Sequence, residues 1–435
     1  MADSNVVDRM RQDWNARARE DAHYYVAFGR RAEGSEQDDA EFFATAVDVV
    51  RGLRGEIKRL PAASRRRALE IGCGPGRLMR PLSADFGEIH GIDVSDEMIR
   101  LAAEKLRPLP NAFPRHAAQS NLAAFADESF DFVYSYAVFQ HIPSREVVLG
   151  YLAEARRVLR TGGILRCQIN GLPESSARYT TWEGVRISAA EVADFALRHD
   201  FQLLALEGAS TQYMWTTWRK QPAGWRASLR PGDAPATRLR AISNALTGDP
   251  LVPAAGPRAF AALRLENLPP DADLLNLEVR IEDRPGELSY LGPPEWDGVV
   301  QLNVALPPET RTGLVPVEVR WLGQHLAGPH WMRVIPRGPL VPRLLSIRDG
   351  VNLLSGARIV SRWIKLVIEE IERPQDLRIS VDEAPLGNLD IFCTGPLEQR
   401  YEINAYLPDA VPAGPHQLRV RIGSRALPAT PFEVA

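Results

Sequence analysis

The sequence predicts an α/β domain followed by a β-rich region of two similar modules. The observations behind this are the proline distribution, the alternation of strands and helices, and an internal repeat. The chain has 435 residues, which at about 150 residues per domain corresponds to about three domains. Eight prolines lie in residues 1–218, 4 in 219–252 and 22 in 253–435. Because proline suits turns and strand edges but not helix interiors or central strands, helices are expected in the front half and short strands in the back half.

Short apolar runs alternate with amphipathic segments between residues 67 and 220. Strands and helices in alternation form a mainly parallel sheet that is covered by helices on both faces. Two further helices are predicted before this region, at 8–19 and 40–57. The predicted strands are 67–71, 88–93, 130–135, 163–169, 201–207 and 212–218, and the predicted helices between them are 77–86, 95–106, 145–160 and 189–199.

Residues 221–255 mix Pro, Gly, Ala and Arg without a sustained apolar period. We interpret this segment as a linker with one short helix at 236–245. After it comes an internal repeat with a period near 100 residues, in which 277–285 corresponds to 377–385 and Leu306-Pro307 corresponds to Leu407-Pro408. A unit of about 100 residues suits a β-sandwich. The pattern resembles bacterial immunoglobulin-like modules of the IPT/TIG type, which implies sandwiches at 256–340 and 341–435.

Charge and cysteine content exclude several classes of protein. The net charge of -3 and the isoelectric point near 6.3 provide no long-range attraction to a polyanion, so neither nucleic acid nor an acidic membrane is the expected partner. Three widely spaced cysteines, Cys73, Cys167 and Cys393, exclude a disulfide framework and fit a reducing compartment. Residues 1–30 lack the apolar core of a signal peptide. A cytoplasmic protein of bacterial type is expected.

A glycine-rich turn follows the first predicted strand. Glu70 stands at the end of this strand, and Gly72, Gly74 and Gly76 follow at alternate positions before a helix. Glycines at such a turn let a ligand approach the backbone. Asp93 ends the second strand nearly 20 residues later, where an acid can accept both hydroxyls of a ribose. The Gly-x-Gly-x-Gly spacing and the acid at its start argue against a pyrophosphate and favour a ligand that carries an ammonium group.

These residues resemble the class I S-adenosylmethionine-dependent methyltransferases, and residues 65–172 follow the pattern of that family in four collinear motifs. The motifs are the glycine turn, the Gly91-Ile-Asp93 segment, the fourth-strand segment 128–142 and the turn at 157–163 before the fifth strand. The resemblance implies a Rossmann-like domain over residues 1–220 with a seven-stranded, mainly parallel sheet and an amino-terminal helical lid. It also implies S-adenosylmethionine as the cofactor and S-adenosylhomocysteine as the product.

The resemblance assigns the cofactor site residue by residue. Glu70 and the turn backbone hold the methionine part, Asp93 the ribose, and Val94 and Met98 one face of adenine. The third strand departs from the family because it ends without an acid, so an amide oxygen of Gln119 or Asn121 is the candidate acceptor for the adenine amino group. The complete predicted cofactor set is Glu70, Gly72, Cys73, Gly74, Gly76, Asp93, Val94, Met98, Gln119, Asn121, Leu122 and Tyr134.

The fourth-strand segment carries the candidate catalytic residues. His141 could take the proton of an attacking hydroxyl or amine, or could cap or orient the helix that begins near Ser144. Aromatic faces can stabilise a sulfonium, and ordinary packing is the alternative at each candidate: Tyr134, Tyr136, Trp14, Tyr24 and Tyr25. The predicted catalytic residues are His141 and Tyr136, and the predicted substrate contacts are Tyr24, Tyr25, Gln140 and Arg186, with Arg178 and Trp182 nearby in sequence. Trp215 and Trp218 are expected to pack within the sheet or between domains.

The sequence lacks the motifs that methyltransferases for several substrate classes carry. The end of the fourth strand has no acid for Mg²⁺ and no Asp-Pro-Pro-Tyr-like segment, and paired glutamates are missing. The expectation is therefore metal-independent transfer to an oxygen or nitrogen of a small molecule, with the β-rich modules binding a partner or a second copy. One alternative is a scaffold protein with an inactive methyltransferase domain. Another is a glycan acceptor, suggested by Trp296, Trp321, Trp331 and Trp363.

Overall fold

The computed structural model describes residues 2–27, 39–174, 179–228, 234–350, 357–395 and 399–435. The chain divides into two compact units. The first unit comprises Met1–Trp14 and Asp48–Gly338, and the second comprises Asn15–Val47 and Pro339–Ala435.

The amino-terminal sheet of the first unit confirms the predicted Rossmann-like architecture. Seven strands lie in the order β3-β2-β1-β4-β5-β7-β6. Strands β1 to β5 are mutually parallel, whereas β7 is antiparallel to both of its neighbours. Four predicted strands have the expected bounds, because their apolar runs end at charged or turn residues. The strands are β1 Arg67–Ile71, β2 Glu88–Asp93, β3 Ala112–His116, β4 Phe130–Ser135, β5 Leu159–Ile169, β6 Phe201–Glu207 and β7 Met214–Lys220.

Three helices begin where serine side chains accept backbone N–H groups. Ser95 and Ser144 cap α5 and α6, and Ser188 forms a capping box with Glu191 at α7. The helix expected at 40–57 is instead two helices, because a turn at Thr45 intervenes and its hydroxyl donates to Phe42 O at 2.7 Å. The helices are α1 Ala2–Ala27, α2 Asp39–Ala44, α3 Val47–Ile57, α4 Met79–Leu82, α5 Asp96–Leu106, α6 Arg145–Val158 and α7 Ala189–Arg198.

The sheet continues beyond the predicted seven strands. Four strands from the β-rich region extend it from β6 in the order β13-β14-β10-β8, so the whole sheet has 11 strands. All pairs in this extension are antiparallel. The prediction of a seven-stranded, mainly parallel sheet is therefore wrong, because β6 is not an edge. The added strands are β8 Arg238–Asn244, β10 Phe260–Glu266, β13 Glu287–Leu291 and β14 Val300–Ala305.

The segment interpreted as a linker contains two strands. β8 occupies the predicted helix at 236–245, and β9 Leu251–Pro253 follows it. The backbone of β8 bonds to β10 from Asn244 to Arg238, so tertiary pairing overrides the weak helical tendency of this stretch. A five-stranded sheet, in the order β12-β11-β15-β16-β9, completes the first β-rich module. Its other strands are β11 Leu277–Ile281, β12 Arg284–Pro285, β15 Gly313–Trp321 and β16 Gln324–Ile335.

The predicted internal repeat is visible in the strand order. The orders β17-β19-β23-β22 and β18-β26-β24-β20-β21 in the second unit reproduce β8-β10-β14-β13 and β9-β16-β15-β11-β12 in the first. We call residues 238–335 the first repeat and 343–434 the second repeat. Strands of the second repeat are β17 Arg343–Asp349, β18 Arg358–Ile359, β19 Trp363–Glu369, β20 Leu377–Val381, β21 Ala384–Pro385, β22 Asp390–Gly395, β23 Arg400–Tyr406, β24 Gly414–Ile422, β25 Arg425–Ala426 and β26 Thr430–Val434.

Two hydrophobic cores are distinct. One lies around the parallel strands and includes Leu69, Val133, Leu165 and Trp218, with Met10 from α1 packed into it. The other combines residues from both sheets of the second repeat, such as Leu366 and Ile403 from one sheet and Leu418 from the other. Within the described part of the chain, none of the helices has the length and apolar character needed to cross a membrane.

Candidate functional site

The glycine turn lies at the carboxyl end of β1. Gly72, Gly74 and Gly76 all have positive φ angles, of 72°, 51° and 86°, which favour glycine. A Cβ on Gly72 would lie 2.3 Å from Cγ2 of Val138. Val138 thus packs tightly against the turn, and any side chain at position 72 would displace Val138.

Asp93 joins the end of β2 to this turn. Its Oδ2 accepts the N–H of Gly74 at 2.9 Å, and its Oδ1 accepts the N–H of Ser95 at 2.9 Å. A carboxylate offers about four lone-pair positions, so both oxygens retain capacity for further donors. Burial raises the pKa of Asp93, and the two backbone bonds oppose that rise. The carboxylate is half-buried and suited to accept a pair of hydroxyls.

Glu70 is buried beneath the turn. Tyr134, fully buried on β4, donates its hydroxyl to Glu70 Oε2 at 2.9 Å. Burial raises the pKa of Glu70 to about 8, while the bonds from Tyr134 and the backbone N–H of Met79 and the charge of Arg77 oppose the rise. The hydroxyl of Tyr134 therefore contacts the acid, and its fully buried ring fits the packing alternative that the sequence left open.

The residues predicted for adenine differ in their surroundings. Val94 is half-buried, and Met98 is buried with its N–H on the Ser95 cap. Asn121 donates its side-chain N–H to Gln119 Oε1 at 2.9 Å, so the two candidate amides are bonded to each other. Leu122 is buried in the core, and its N–H donates to Glu154 Oε2 at 3.0 Å. Cys73 is a buried thiol whose pKa burial raises.

His141 lies at the centre of a hydrogen-bonded chain. Its Nδ1 is 2.7 Å from the carbonyl oxygen of Trp182, and since a carbonyl only accepts, Nδ1 carries the proton. Gln140 Nε2 lies 3.2 Å from His141 Nε2 and must donate to it. The imidazole is therefore neutral, with its basic lone pair on Nε2. The edge of Trp14 packs against the ring, with centroids 5.4 Å apart.

Gln168, which sequence reasoning did not single out, fixes this chain. Its Oε1 accepts the N–H of Ala137 at 3.0 Å, and its Nε2 donates to Gln140 Oε1 at 3.1 Å and to Gln212 O at 2.6 Å. The N–H of Ala137 and the carbonyl of Gln212 fix the orientation of the Gln168 amide. The bond from Gln168 Nε2 to Gln140 Oε1 then fixes the orientation of the Gln140 amide. Ala137 has a positive φ of 56°, a strained conformation typical of functional loops. A polar residue in the middle of an apolar strand was the available signal.

Three aromatic side chains form a group around Tyr136, and we call Tyr136, Tyr213 and Trp215 the acceptor wall. Tyr136 and Trp215 stack with centroids 5.3 Å apart and planes 3° from parallel. The guanidinium of Arg77 lies 5.7 Å from the centroid of Tyr136, and that of Arg166 lies 4.6 Å from the centroid of Trp215. Tyr136 thus has both an arginine and an aromatic ring beside it.

Other predicted residues are placed elsewhere. Arg186 donates to Glu183 at 2.7 Å and to Pro173 O at 2.6 Å, which gives its guanidinium a structural role. Tyr24 and Tyr25 belong to the second unit, where their rings meet edge to face at 4.9 Å. Trp218 is fully buried against Phe195 and Phe201, as expected for sheet packing. Arg178 lies outside the described residues.

Comparison with known proteins agrees with this geometry. Residues 69–167 match the family described as "Methyltransferase domain". Phosphoethanolamine N-methyltransferase 2 of Caenorhabditis elegans is 29% identical over 33% of this chain and 34% of its own length. The 2-methyl-6-phytyl-1,4-hydroquinone methyltransferase of Synechocystis is 33% identical over 29% of this chain and 38% of its own length. The chain thus spans about a third of the length of these curated relatives.

Among solved structures, the chain is similar to phosphoethanolamine N-methyltransferase 1 of Haemonchus contortus in complex with phosphoethanolamine and S-adenosylhomocysteine. The identity is 15%, the TM-score is 0.39, and the match covers 53% of this chain and 52% of the other. The family match confirms the predicted methyltransferase domain for residues 69–167 and S-adenosylmethionine as its cofactor.

Proposed function

We propose that the first unit transfers a methyl group from S-adenosylmethionine to an oxygen or nitrogen atom of a small acceptor, by in-line displacement without a metal ion. The observation that carries this proposal is the bridge from Asp93 to the glycine turn, with the carboxylate held by Gly74 and Ser95 N–H groups at 2.9 Å. This is a fixed ribose acceptor beside a turn that a ligand can approach closely.

The residues at this end of the sheet fit the cofactor. Asp93 would accept the ribose hydroxyls, and Val94 and Met98 would contact adenine. Glu70, with the turn backbone, would hold the methionine part, where an ionised carboxylate attracts an ammonium group. When bound, S-adenosylmethionine supplies an electrophilic methyl group on a positively charged sulfur.

His141 is the proposed proton acceptor. The bond to Trp182 O keeps the proton on Nδ1, so Nε2 is the atom that would receive the proton of the acceptor group. Gln140 occupies this lone pair at 3.2 Å, and its amide must yield that position to the acceptor. Gln168 holds Gln140 by its carbonyl oxygen and so limits how far the amide can turn. Positioning by these groups supplies much of the rate in a displacement reaction.

Cofactor binding and transfer can be tested separately. Calorimetry with S-adenosylmethionine and S-adenosylhomocysteine should show binding by the wild-type protein and about 100-fold weaker binding by Asp93→Ala, because a charged hydrogen-bond acceptor is worth up to about 3 kcal/mol. Tritium from labelled S-adenosylmethionine should enter a component of a metabolite extract. A wild-type protein that does not bind at millimolar cofactor would contradict the proposal.

His141→Ala tests the proton acceptor. It should bind S-adenosylhomocysteine as the wild type does, because the ring is not assigned to the cofactor, and it should lower the transfer rate by about 10²–10⁴-fold. Equal turnover by wild type and variant would remove the general-base role and leave His141 as an orienting residue.

For the β-rich part we propose immunoglobulin-like sandwiches that hold a partner protein, a second copy or a glycan. Support comes from two sheets around one core in the second repeat and a unit length near 100 residues. For a glycan, Trp296 and Trp331 are the relevant side chains, with exposures of 97% and 59%, whereas Trp321 is buried. Affinity electrophoresis in polysaccharide gels, with Trp331→Ala as the variant, tests this.

The buried thiols Cys73 and Cys167 support a proposed cytoplasmic, reducing location.

A further inference from the structure

The first repeat is joined to the methyltransferase strands by buried polar bonds. Tyr290 of β13 pairs with Ala205 of β6. Below this pair, Gln202 donates to Pro270 O and Ala272 O at 2.8 and 2.9 Å, and Asp273 Oδ2 accepts the N–H of Leu203 at 3.3 Å. Gln202, Ala272 and Asp273 are buried, so the bonds between them resist local opening.

Arg59, just after α3, contacts both β13 and an acid on α3. Its side chain is 2% exposed and its Nε is 2.7 Å from Glu56 Oε2. Its second terminal nitrogen donates to Leu291 O on β13 at 2.6 Å, and the guanidinium lies 5.6 Å from the ring centroid of Tyr290. One buried cation therefore contacts both the first repeat and the acid on α3.

Arg166 on β5 continues the connection to the acceptor wall. It donates to Thr217 Oγ1 at 2.9 Å and to Glu207 Oε2 at 3.1 Å, and it lies over Trp215. The charges of Arg59 and Arg166 and a bond from Thr217 lower the pKa of Glu56, although burial opposes them. We call these charged and polar residues the junction cluster: Glu56, Arg59, Arg166, Glu207, Thr217 and Tyr290.

The sheet register places members of the junction cluster in the same row of side chains as Glu70, the acid proposed to hold the methionine part of the cofactor. Directly paired residues on neighbouring strands project from the same face. Consecutive pairs form a single row across six strands, which runs through Glu70, Tyr134, Arg166, Thr217, Ala205 and Tyr290.

We propose that the first repeat positions the acceptor wall through the junction cluster. β13 fixes Arg59, Arg59 fixes Glu56, and Glu56 and Arg166 share the hydroxyl of Thr217. Arg166 in turn fixes the ring of Trp215, on which Tyr136 stacks. Buried ions are tolerated only when each has its partner, so the cluster has one favourable arrangement. The inference rests on the proposed function only in naming Tyr136, Tyr213 and Trp215 as the wall that meets the acceptor. Arg59 and Arg166 are positioning residues.

The test uses the full chain and near-ultraviolet circular dichroism, which reports fixed aromatic packing. The difference between wild type and Trp215→Leu isolates the signal of the Tyr136–Trp215 stack. Arg59→Met should lose at least half of that signal while S-adenosylhomocysteine binds within about twofold of wild type. Arg59→Lys, which keeps the charge, should restore part of it. Arg284→Met is the control, because Arg284 likewise donates to backbone carbonyls of the first repeat, Pro308 O and Glu309 O, but lies outside the cluster.

An unchanged stack signal in Arg59→Met would overturn the proposal. The second test variant is Glu56→Gln/Arg59→Met, which removes both buried charges. If this variant and Arg59→Met both lose the whole aromatic spectrum and also lose cofactor binding, the cluster stabilises the fold in general and the proposal is overturned. A wild-type protein that fails to bind S-adenosylhomocysteine would contradict the proposed function instead, and leave the spectral comparison intact.

Discussion

The two repeats have the same strand order but different edges. In the first repeat, Tyr290 and Leu291 on β13 pair with Asn303 and Leu302, and Tyr290 also pairs across to β6. The equivalent positions in the second repeat are Asp390 and Ile391, which pair with Asn404 and Ile403. Asp390 is exposed.

This difference shows how one fold is used in two ways. A charged residue on an edge strand discourages pairing with another strand, and the second repeat carries Asp390 at that position. The first repeat has Tyr290 there and extends the sheet of the methyltransferase domain. The residue at this edge position thus differs between a module that extends the sheet of the first unit and a module that keeps its own two sheets.

Asp273→Ala should break the junction and have the largest effect on stability. Asp273 is buried and accepts the N–H groups of Leu203, Leu275 and Asn276. Without it, three N–H groups lose their acceptor, at about 1–3 kcal/mol each, so we expect a loss of at least about 3 kcal/mol. Urea unfolding with hydrogen exchange by mass spectrometry would assign the loss to the first unit.

Asp273→Asn keeps one acceptor oxygen and should lose less. The equivalent position in the second repeat is Arg373, which is exposed, and Arg373→Ala should change stability by no more than about 0.5 kcal/mol. Similar losses from Asp273→Ala and Arg373→Ala would contradict the idea that the junction distinguishes the repeats.

Trp321→Ile should have the next largest effect, because it gives the first repeat the residue that the second has at Ile422. Trp321 is buried and donates its indole N–H to Asn276 Oδ1 at 3.0 Å. Loss of the ring volume and of this bond should cost about 2–3 kcal/mol. Trp321→Phe separates the two contributions, since it keeps most of the ring. Thermal unfolding of the three proteins provides the measurement, and equal midpoints would remove Trp321 from the comparison.

The sequence predicted the centre of the molecule better than its extensions. Strands such as β1 and β2 are continuous apolar runs bounded by charged or turn residues, and the glycine turn with Glu70 and Asp93 follows a fixed spacing. β8 could not be recognised, because its residues are mixed in character and its strand form depends on β10. The pairing of Tyr290 with Ala205 joins residues 85 positions apart by a single register pair, which no local pattern specifies.

The candidate site shows the same limit. His141 was identified by its residue type and position. Trp182, which accepts its N–H, and Gln168, which holds Gln140, are ordinary aromatic and polar residues in sequence. Arg77 and Arg166 were passed over because arginine is usually a surface residue. Their burial beside Tyr136 and Trp215 depends on the order of β1, β4, β5 and β7 in the sheet.

Glu70 should give the first unit a pH response in cofactor binding. Because burial raises its pKa to about 8, the carboxyl of the free protein is protonated near neutrality, while the ionised form attracts the cofactor's ammonium group. Affinity for S-adenosylhomocysteine should therefore rise by up to about tenfold per pH unit between pH 6 and 7.5. Calorimetry across this range measures it, and Glu70→Gln should abolish the slope.

The same residue affects folding with the opposite sign. The folded protein retains a proton that the unfolded chain loses between the ordinary pKa of 4.5 and about 8, so the contribution of Glu70 to stability falls as pH rises through that window. Glu70→Gln should unfold at a higher temperature than wild type at pH 8 and show little difference at pH 5. A slope in cofactor affinity that persists in Glu70→Gln would assign the titration to another group.

His416 should give the second unit a smaller pH response that the first repeat lacks. Its Nδ1 is 2.8 Å from Asp382 Oδ2 and its Nε2 is 2.8 Å from Pro412 O, so both nitrogens donate and the ring is charged. The bond to Asp382 raises the pKa of His416. Its stabilising contribution is therefore complete below its ordinary pKa of 6.5 and is lost as pH rises through the higher folded value. The equivalent residue in the first repeat is Val315, which is buried and does not titrate.

Hydrogen exchange at pH 6 and pH 9 should show the second repeat opening more readily at pH 9, and His416→Gln should remove most of that difference. Equal protection of β24 at both pH values in the wild type would contradict a charged His416.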